Sequence, residues 1–164
     1  MKTLNLLIGN SDRRICNVIE VLVLDLCYNR ASVKTTRAAR IDELAHKACR
    51  EEFDLMIVAP DKLLPAPGLE PCPQRILEAI RQIRKIRPPR KMPIIAIAVS
   101  PEREFPLTNA GADCVLGLPF HPEELKAAVE LRLNLPAARP EHSAAENSFA
   151  AVLMRGFQRL TAMW

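Results

Sequence analysis

The side chains that could support chemistry are few, and their spacing fits no catalytic or metal-binding pattern. The five cysteines include no C-x-x-C pair, and His46 with Cys49 is the nearest approach to a ligand spacing. We therefore expect no zinc site, no cofactor and no enzymatic activity. Neither His121, at a predicted helix start, nor His142, in a predicted linker, has triad partners nearby in the sequence. Unpaired cysteines of this kind are typical of reduced thiols in a cytoplasmic protein.

A phosphate-binding loop would be the other route to chemistry. A flavodoxin-like enzyme or cofactor carrier needs a glycine- and hydroxyl-rich loop after its first strand. Residues 9–13 (GNSDR) follow the first predicted strand, but they contain one glycine and an acid. An enzyme or cofactor carrier of this kind therefore has only weak support from the sequence.

Between residues 75 and 91, seven cations stand against one acid, Glu78. Such a run permits nucleic-acid binding, which is our alternative function, yet it is also typical of a solvated helix face. No helix-turn-helix, zinc-finger or RNA-binding signature accompanies it, and the net charge of +4 is mild. The possible basic patch consists of Arg81, Arg84, Lys85, Arg87, Arg90 and Lys91.

The stretch that the rest of the chain is organised around is residues 53–61 (FDLMIVAPD). Its apolar run is too short for a helix and indicates a strand buried on both faces of a parallel sheet. In such sheets the chemistry lies just beyond the carboxyl ends of the central strands. Here that position is Ala59, which has no functional group.

Strands and helices are predicted to alternate along one domain, residues 1–135. Right-handed crossovers then give an α/β fold, a doubly wound, flavodoxin-like parallel sheet of five strands in the order 2-1-3-4-5. Pro106 should shorten or unwind the fourth helix, and the proline-rich connection 60–73 should be irregular. The strands are predicted at 4–8, 32–37, 55–59, 94–99 and 114–118, and the helices at 12–28, 41–52, 74–86, 101–110 and 122–133. Ile86 is expected to be among the inward-facing residues of the helix at 74–86.

A linker at 136–142 precedes an amphipathic helix predicted at 143–164. Its apolar residues recur in steps of three and four, which makes a seam. The seam could pack back on its own domain or pair with a second copy, and we favour a homodimer. No signal peptide or membrane span is expected. The seam residues are Phe149, Val152, Leu153, Phe157, Leu160 and Trp164.

Several motifs resemble a bacterial response-regulator receiver domain (CheY-like), over about residues 3 to 134. They are Ala110-Gly111-Ala112-Asp113, Leu118-Pro119-Phe120 and Pro122-Glu123-Glu124-Leu125, with the strands at 54–58 and 92–96. The resemblance implies a cis peptide bond between Leu118 and Pro119.

The resemblance also shows what is missing. Receivers hold magnesium with an acidic pair, and this pair falls on Asn10 and Ser11. The phospho-acceptor aspartate falls on Ala59, the hydroxyl residue on Ala98, the switch aromatic on Val115 and the lysine on Leu118. Asp12 lies one residue beyond the expected acidic pair, and Asp61 lies two residues beyond the expected acceptor. Either could restore an acidic group to the site only if the alignment were shifted by that amount. The chain thus resembles a degenerate pseudo-receiver.

We therefore expect a phosphorylation-independent interaction or dimerisation module in bacterial signalling, with an unidentified protein partner. By resemblance its output face spans about residues 101 to 134. The residues expected there are Phe105, Leu107, Val115 and Leu116.

Overall fold

The computed structural model describes residues 2–135, and a five-stranded parallel sheet forms their centre. The strands are β1 (Thr3–Gly9), β2 (Ser32–Ala38), β3 (Leu55–Val58), β4 (Ile94–Ala98) and β5 (Cys114–Gly117). Their order in the sheet is β2-β1-β3-β4-β5, which confirms the predicted fold class and topology. The strands β3 and β4 are buried along their whole length, as their continuous apolar sequences predicted.

Helices cover both faces of the sheet. They are α1 (Arg13–Cys27), α2 (Ile41–Arg50), α3 (Pro73–Ile86), α4 (Glu104–Ala110) and α5 (Pro122–Leu133), with 3-10 turns at Pro60–Lys62 and Pro101–Arg103. One apolar cluster lies between the sheet and α1 with α5, and a second lies between the sheet and α2, α3 and α4. Among residues 2–135, none of the helices is long and apolar enough to cross a membrane.

Pro106 shortens the fourth helix, as predicted, because it lies in the first turn of that helix. The α-helix begins only at Glu104, after the 3-10 turn, so Pro106 is its third residue. Backbone N–H groups in the first turn have no partner within a helix, and a proline there costs no hydrogen bond. The helix is left with seven residues.

Two predicted placements of side chains are wrong. Ile86, expected to face inward, is 55% exposed because α3 ends at this residue. Leu107, expected on an interaction surface, is 2% exposed and packs in the second core cluster. The linker at 136–142 and the seam residues from Phe149 to Trp164 lie outside the described residues.

The Ala110–Asp113 motif is held by a network of hydrogen bonds around Arg84. The guanidinium donates to the carbonyl oxygen of Gly111 from Nε (3.0 Å) and Nη2 (2.7 Å). It also donates to the carbonyl of Met92 and forms an ion pair with Asp113 at 2.6 Å. Both side chains of this pair are 15% exposed. This motif therefore serves the architecture of the fold.

Candidate functional site

The sequence-predicted site assembles at the carboxyl edge of the sheet. Gly9 of β1 stands beside Val58 of β3, and the Ala59 N–H donates to the Gly9 carbonyl at 2.9 Å. Further along the same edge, the Leu118 N–H donates to the Ala98 carbonyl at 2.9 Å. The structure thus places Asn10, Ala59, Ala98 and Leu118 at neighbouring strand ends.

Three of these positions carry only hydrocarbon. Ala59 is 2% exposed and belongs to the first core cluster, while Ala98 is fully buried in the second. Leu118 packs partly buried against the first cluster. This part of the edge offers no nucleophile, no hydroxyl group and no cation, and it is closed by apolar packing.

Asn10 is the buried polar residue of the site, at 3% exposure. Its Oδ1 accepts a hydrogen bond from the Asp12 N–H at 2.7 Å, which fixes the turn into α1. Its Nδ2 is buried with no hydrogen-bond partner. The neighbouring Ser11 is exposed, and its N–H donates to the Lys62 carbonyl at 2.8 Å. The two residues fix loop geometry and add no negative charge.

Asp12 is the N-cap residue of α1. Its carboxylate accepts from the backbone N–H of Arg14 at 2.9 Å and from the Arg14 Nη2 at 3.0 Å. The side-chain hydrogen bond from Arg14 is the main cause that lowers the pKa of this carboxyl group. Asp12 is therefore ionised at neutral pH, and its carboxylate is already bound to the backbone and side chain of Arg14 at the start of α1.

Asp61 is also engaged. It lies in the first 3-10 turn and forms an ion pair with Arg103, at the end of the second. A hard divalent cation prefers several carboxylate oxygens. With both nearby carboxylates paired to arginines and only neutral groups at Asn10 and Ser11, the residues present do not fit a magnesium ion. Within residues 2–135, no group of three or more His, Cys, Asp or Glu side chains could hold a metal ion.

The expected output face is partly apolar and partly exposed. Phe105 on α4 is 74% exposed, while Val115 and Leu116 on β5 are half-buried against opposite core clusters. Leu131 on α5, which the sequence reasoning missed, is also 74% exposed. The signal available for it was a leucine outside the inward-facing positions Leu125, Ala128 and Val129.

Fewer cations of the basic stretch are exposed in the structure than the sequence suggested. Arg84 is used in the network described above, and Arg87 donates to the backbone carbonyls of Ala48 (3.2 Å) and Glu51 (2.9 Å). Both therefore tie α3 to its neighbours. The exposed members of the possible basic patch are Arg81, Lys85, Arg90 and Lys91.

The cysteine thiols are free. Burial raises the pKa of Cys16, Cys27 and Cys114 above the usual range of a thiol. A raised pKa keeps these groups protonated at neutral pH, so they behave as small apolar side chains.

The peptide bond between Leu118 and Pro119 is cis, which confirms that prediction from the resemblance.

Solved structures with a similar fold include receiver domains of response regulators. A CheY-like response regulator receiver domain protein from Methanospirillum hungatei is 24% identical, with a TM-score of 0.61 over 81% of this chain and 95% of its own. The receiver domain of a sensor histidine kinase from Pseudomonas aeruginosa, described with magnesium coordinated in its active-site cleft, is 22% identical, with a TM-score of 0.61 over 80% and 98%.

A third similar structure is a putative pilus assembly protein from Burkholderia thailandensis, 19% identical, with a TM-score of 0.60 over 80% of this chain and 98% of its own. No protein-family model and no curated protein matches the chain. These likenesses show that the chain has the fold of CheY-like receiver domains.

Proposed function

We propose that this chain is a pseudo-receiver, which works without phosphorylation as a protein-interaction or dimerisation module in bacterial signalling or regulation. The observation that carries the proposal is the apolar carboxyl edge, where Ala59, Ala98 and Leu118 stand in a receiver fold. We further propose that it is not an enzyme and that it acts in the cytoplasm, where its thiols stay reduced.

The chemistry of phosphoryl transfer supports this proposal. Transfer to a carboxylate needs a nucleophile, a divalent cation and further positive charge on the phosphoryl oxygens. Ala59 supplies no nucleophile, and Leu118 supplies no cation. Asp12 and Asp61 could replace the missing acids only by giving up their partners Arg14 and Arg103. Without a nucleophile no transfer to position 59 can occur, and without the cations transfer to a neighbouring acid would be slow.

The surfaces support an interaction role. Phe105 and Leu131 expose large apolar side chains on the two helices that flank the edge strand β5. The sequence beyond the described residues contains the apolar positions of the predicted seam, from Phe149 to Trp164. One similar structure is described as a putative pilus assembly protein, which is compatible with a role in assembly for this fold.

Beryllofluoride with magnesium tests the loss of phosphate chemistry. We expect no saturable shifts of backbone amide resonances near residues 10, 59 and 98 in the full-length protein. The Ala59→Asp variant is the matched test of whether an acid alone restores the site, and it too should show none because Leu118 and Asn10 remain. Saturable, magnesium-dependent shifts confined to this edge in the wild-type protein would refute the proposal.

The dimerisation part is tested by the mass of the full-length chain in solution. Phe157→Glu places a charge in the predicted seam, and Gln158→Glu makes the same charge change beside it. We expect the first variant to shift a dimer toward monomer and the second to leave the mass unchanged. A wild-type protein that stays monomeric at all concentrations would contradict a homodimer.

A further inference from the structure

One ion pair joins the two loops that follow the central strands β3 and β4. Asp61 lies in the 3-10 turn after β3, and Arg103 closes the 3-10 turn that leads into α4. The Asp61 side chain is 18% exposed and the Arg103 side chain 28% exposed. Because both side chains are partly covered, solvent weakens the pair less than it would weaken a fully open surface pair.

The ion pair closes over tightly packed apolar side chains. On one side the paired side chains line a cavity of about 130 Å³, beside Leu63 and Pro73. Toward α3 and α4, a cavity of only 10 Å³ remains between them and the apolar groups there. This volume is at the lower limit for one water molecule, so the space takes no ligand. The pair therefore seals a contact between α3 and α4. Its apolar groups are Pro60, Ile76, Leu77, Pro106 and Leu107.

Helix α4 depends on such external ties. It has seven residues, which is too few for a helix to be stable by itself, and its N-cap residue Arg103 makes no side-chain cap. Only Leu107 and Ala110 are buried. At the other end of the helix, Arg84 binds the carbonyl oxygen of Gly111. Two arginine side chains thus hold the helix, one at each end.

We infer that the Asp61–Arg103 ion pair is a built-in clamp, which holds α4 and the exposed Phe105 in one position without any phosphoryl group. The inference rests on the proposed function, since it takes the surface around Phe105 to be the one that a partner contacts. In the free protein the clamp keeps that surface in one arrangement. A partner or a substitution that captures either charge releases α4 and alters the surface.

Amide hydrogen exchange in the full-length protein tests the clamp. Asp61→Asn and Arg103→Gln should each raise the exchange rates of residues 104 to 111 about fivefold, while rates in α2 and α5 stay unchanged. The double variant should add little to either single variant, because the two side chains act as one unit. In the wild-type protein, 1 M salt should raise the same rates, since the pair is partly exposed.

The control is the pair Arg40–Asp42, which joins two residues at the start of α2 and spans no other element. Asp42→Asn should leave exchange in α4 within about twofold of the wild-type rate. Unchanged rates at 104 to 111 in the clamp variants, or effects that multiply in the double variant, would overturn the inference. If a variant does not fold, the wild-type protein still tests the clamp, because exchange at residues 104 to 111 that does not rise in 1 M salt would also contradict the inference. Since exchange is measured without a partner, this outcome is independent of the tests of the proposed function.

Discussion

The two edges of the sheet use polar residues in opposite ways. At the amino edge, Asp54 stands just before β3, donates its N–H to the Asn5 carbonyl and accepts the Asn5 N–H on its carboxylate, both at 2.8 Å. Asp113 repeats this arrangement before β5, with Ile94 as its partner at 2.8 and 2.7 Å. At the carboxyl edge, Ala59 and Ala98 are closed off in apolar packing.

This contrast separates the architecture of a fold from its chemistry. Reciprocal bonds at the amino edge fix how neighbouring strands start, and the fold needs them whatever its function. Charged groups at the carboxyl edge would be costly to bury without a partner or a ligand that pairs with them. If the chain carries out no phosphoryl transfer, as we propose, that edge can be filled with alanine while the other edge keeps its network.

The largest effect is expected from breaking the amino-edge network at Arg84. Arg84→Met removes the ion pair to Asp113 and leaves buried carbonyl groups without donors. We expect the free energy of unfolding to fall by about 3 to 5 kcal/mol, which is the usual cost of removing one partner of a buried ion pair and leaving the other charge unpaired. Urea denaturation measures it. Arg81→Met, on the exposed side of the same helix, should change stability by less than about 0.5 kcal/mol; equal losses in both variants would show that the network carries no special weight.

A smaller effect is expected at Gly111, which supplies the carbonyl oxygen that Arg84 binds. Gly111 has a φ of 121°, and an added Cβ would lie 3.1 Å from the Arg84 Cγ. Gly111→Ala should therefore cost about 1 to 3 kcal/mol of stability in thermal or urea unfolding. Gly117→Ala is the matched control, since its nearest neighbour would be 3.8 Å away. If the two substitutions cost the same, the turn at Gly111 imposes no particular constraint.

The sequence predicted the architecture better than the site. Apolar runs such as residues 55–58 identify buried strands, because a short segment with both faces covered leaves no other solution. Leu107 was misplaced because Pro106 obscured which side of a short helix faces the core. Position 59 was assigned from the resemblance alone, and in the structure it directly follows β3.

The long-range polar contacts could not be predicted. Asp61 and Arg103 are 42 residues apart, and Arg84 reaches Gly111 across 27 residues. In the sequence, Arg84 is one cation in a basic run, and its neighbours Arg81 and Lys85 are exposed. Charge counts do not distinguish a structural arginine from a solvated one, because the difference lies in which backbone carbonyls are within reach.

The smallest effect is expected at the carboxyl edge, from Asp12. Its carboxylate caps α1 and is paired with Arg14, so Asp12→Ala should lower the free energy of unfolding by about 1 kcal/mol at neutral pH. The pKa of Asp12 is lowered in the folded state, so its stabilising contribution is complete above the unfolded-state value of about 3.9 and is lost as the pH falls through the folded-state value. Urea unfolding of wild type and variant between pH 7 and pH 2 should show the difference shrink toward zero at the acid end. Ser11→Ala, an exposed neighbour with no capping role, should show no such pH dependence. A gap between wild type and Asp12→Ala that widens on acidification would mean that Asp12 acts at this edge in some way other than as an ionised helix cap.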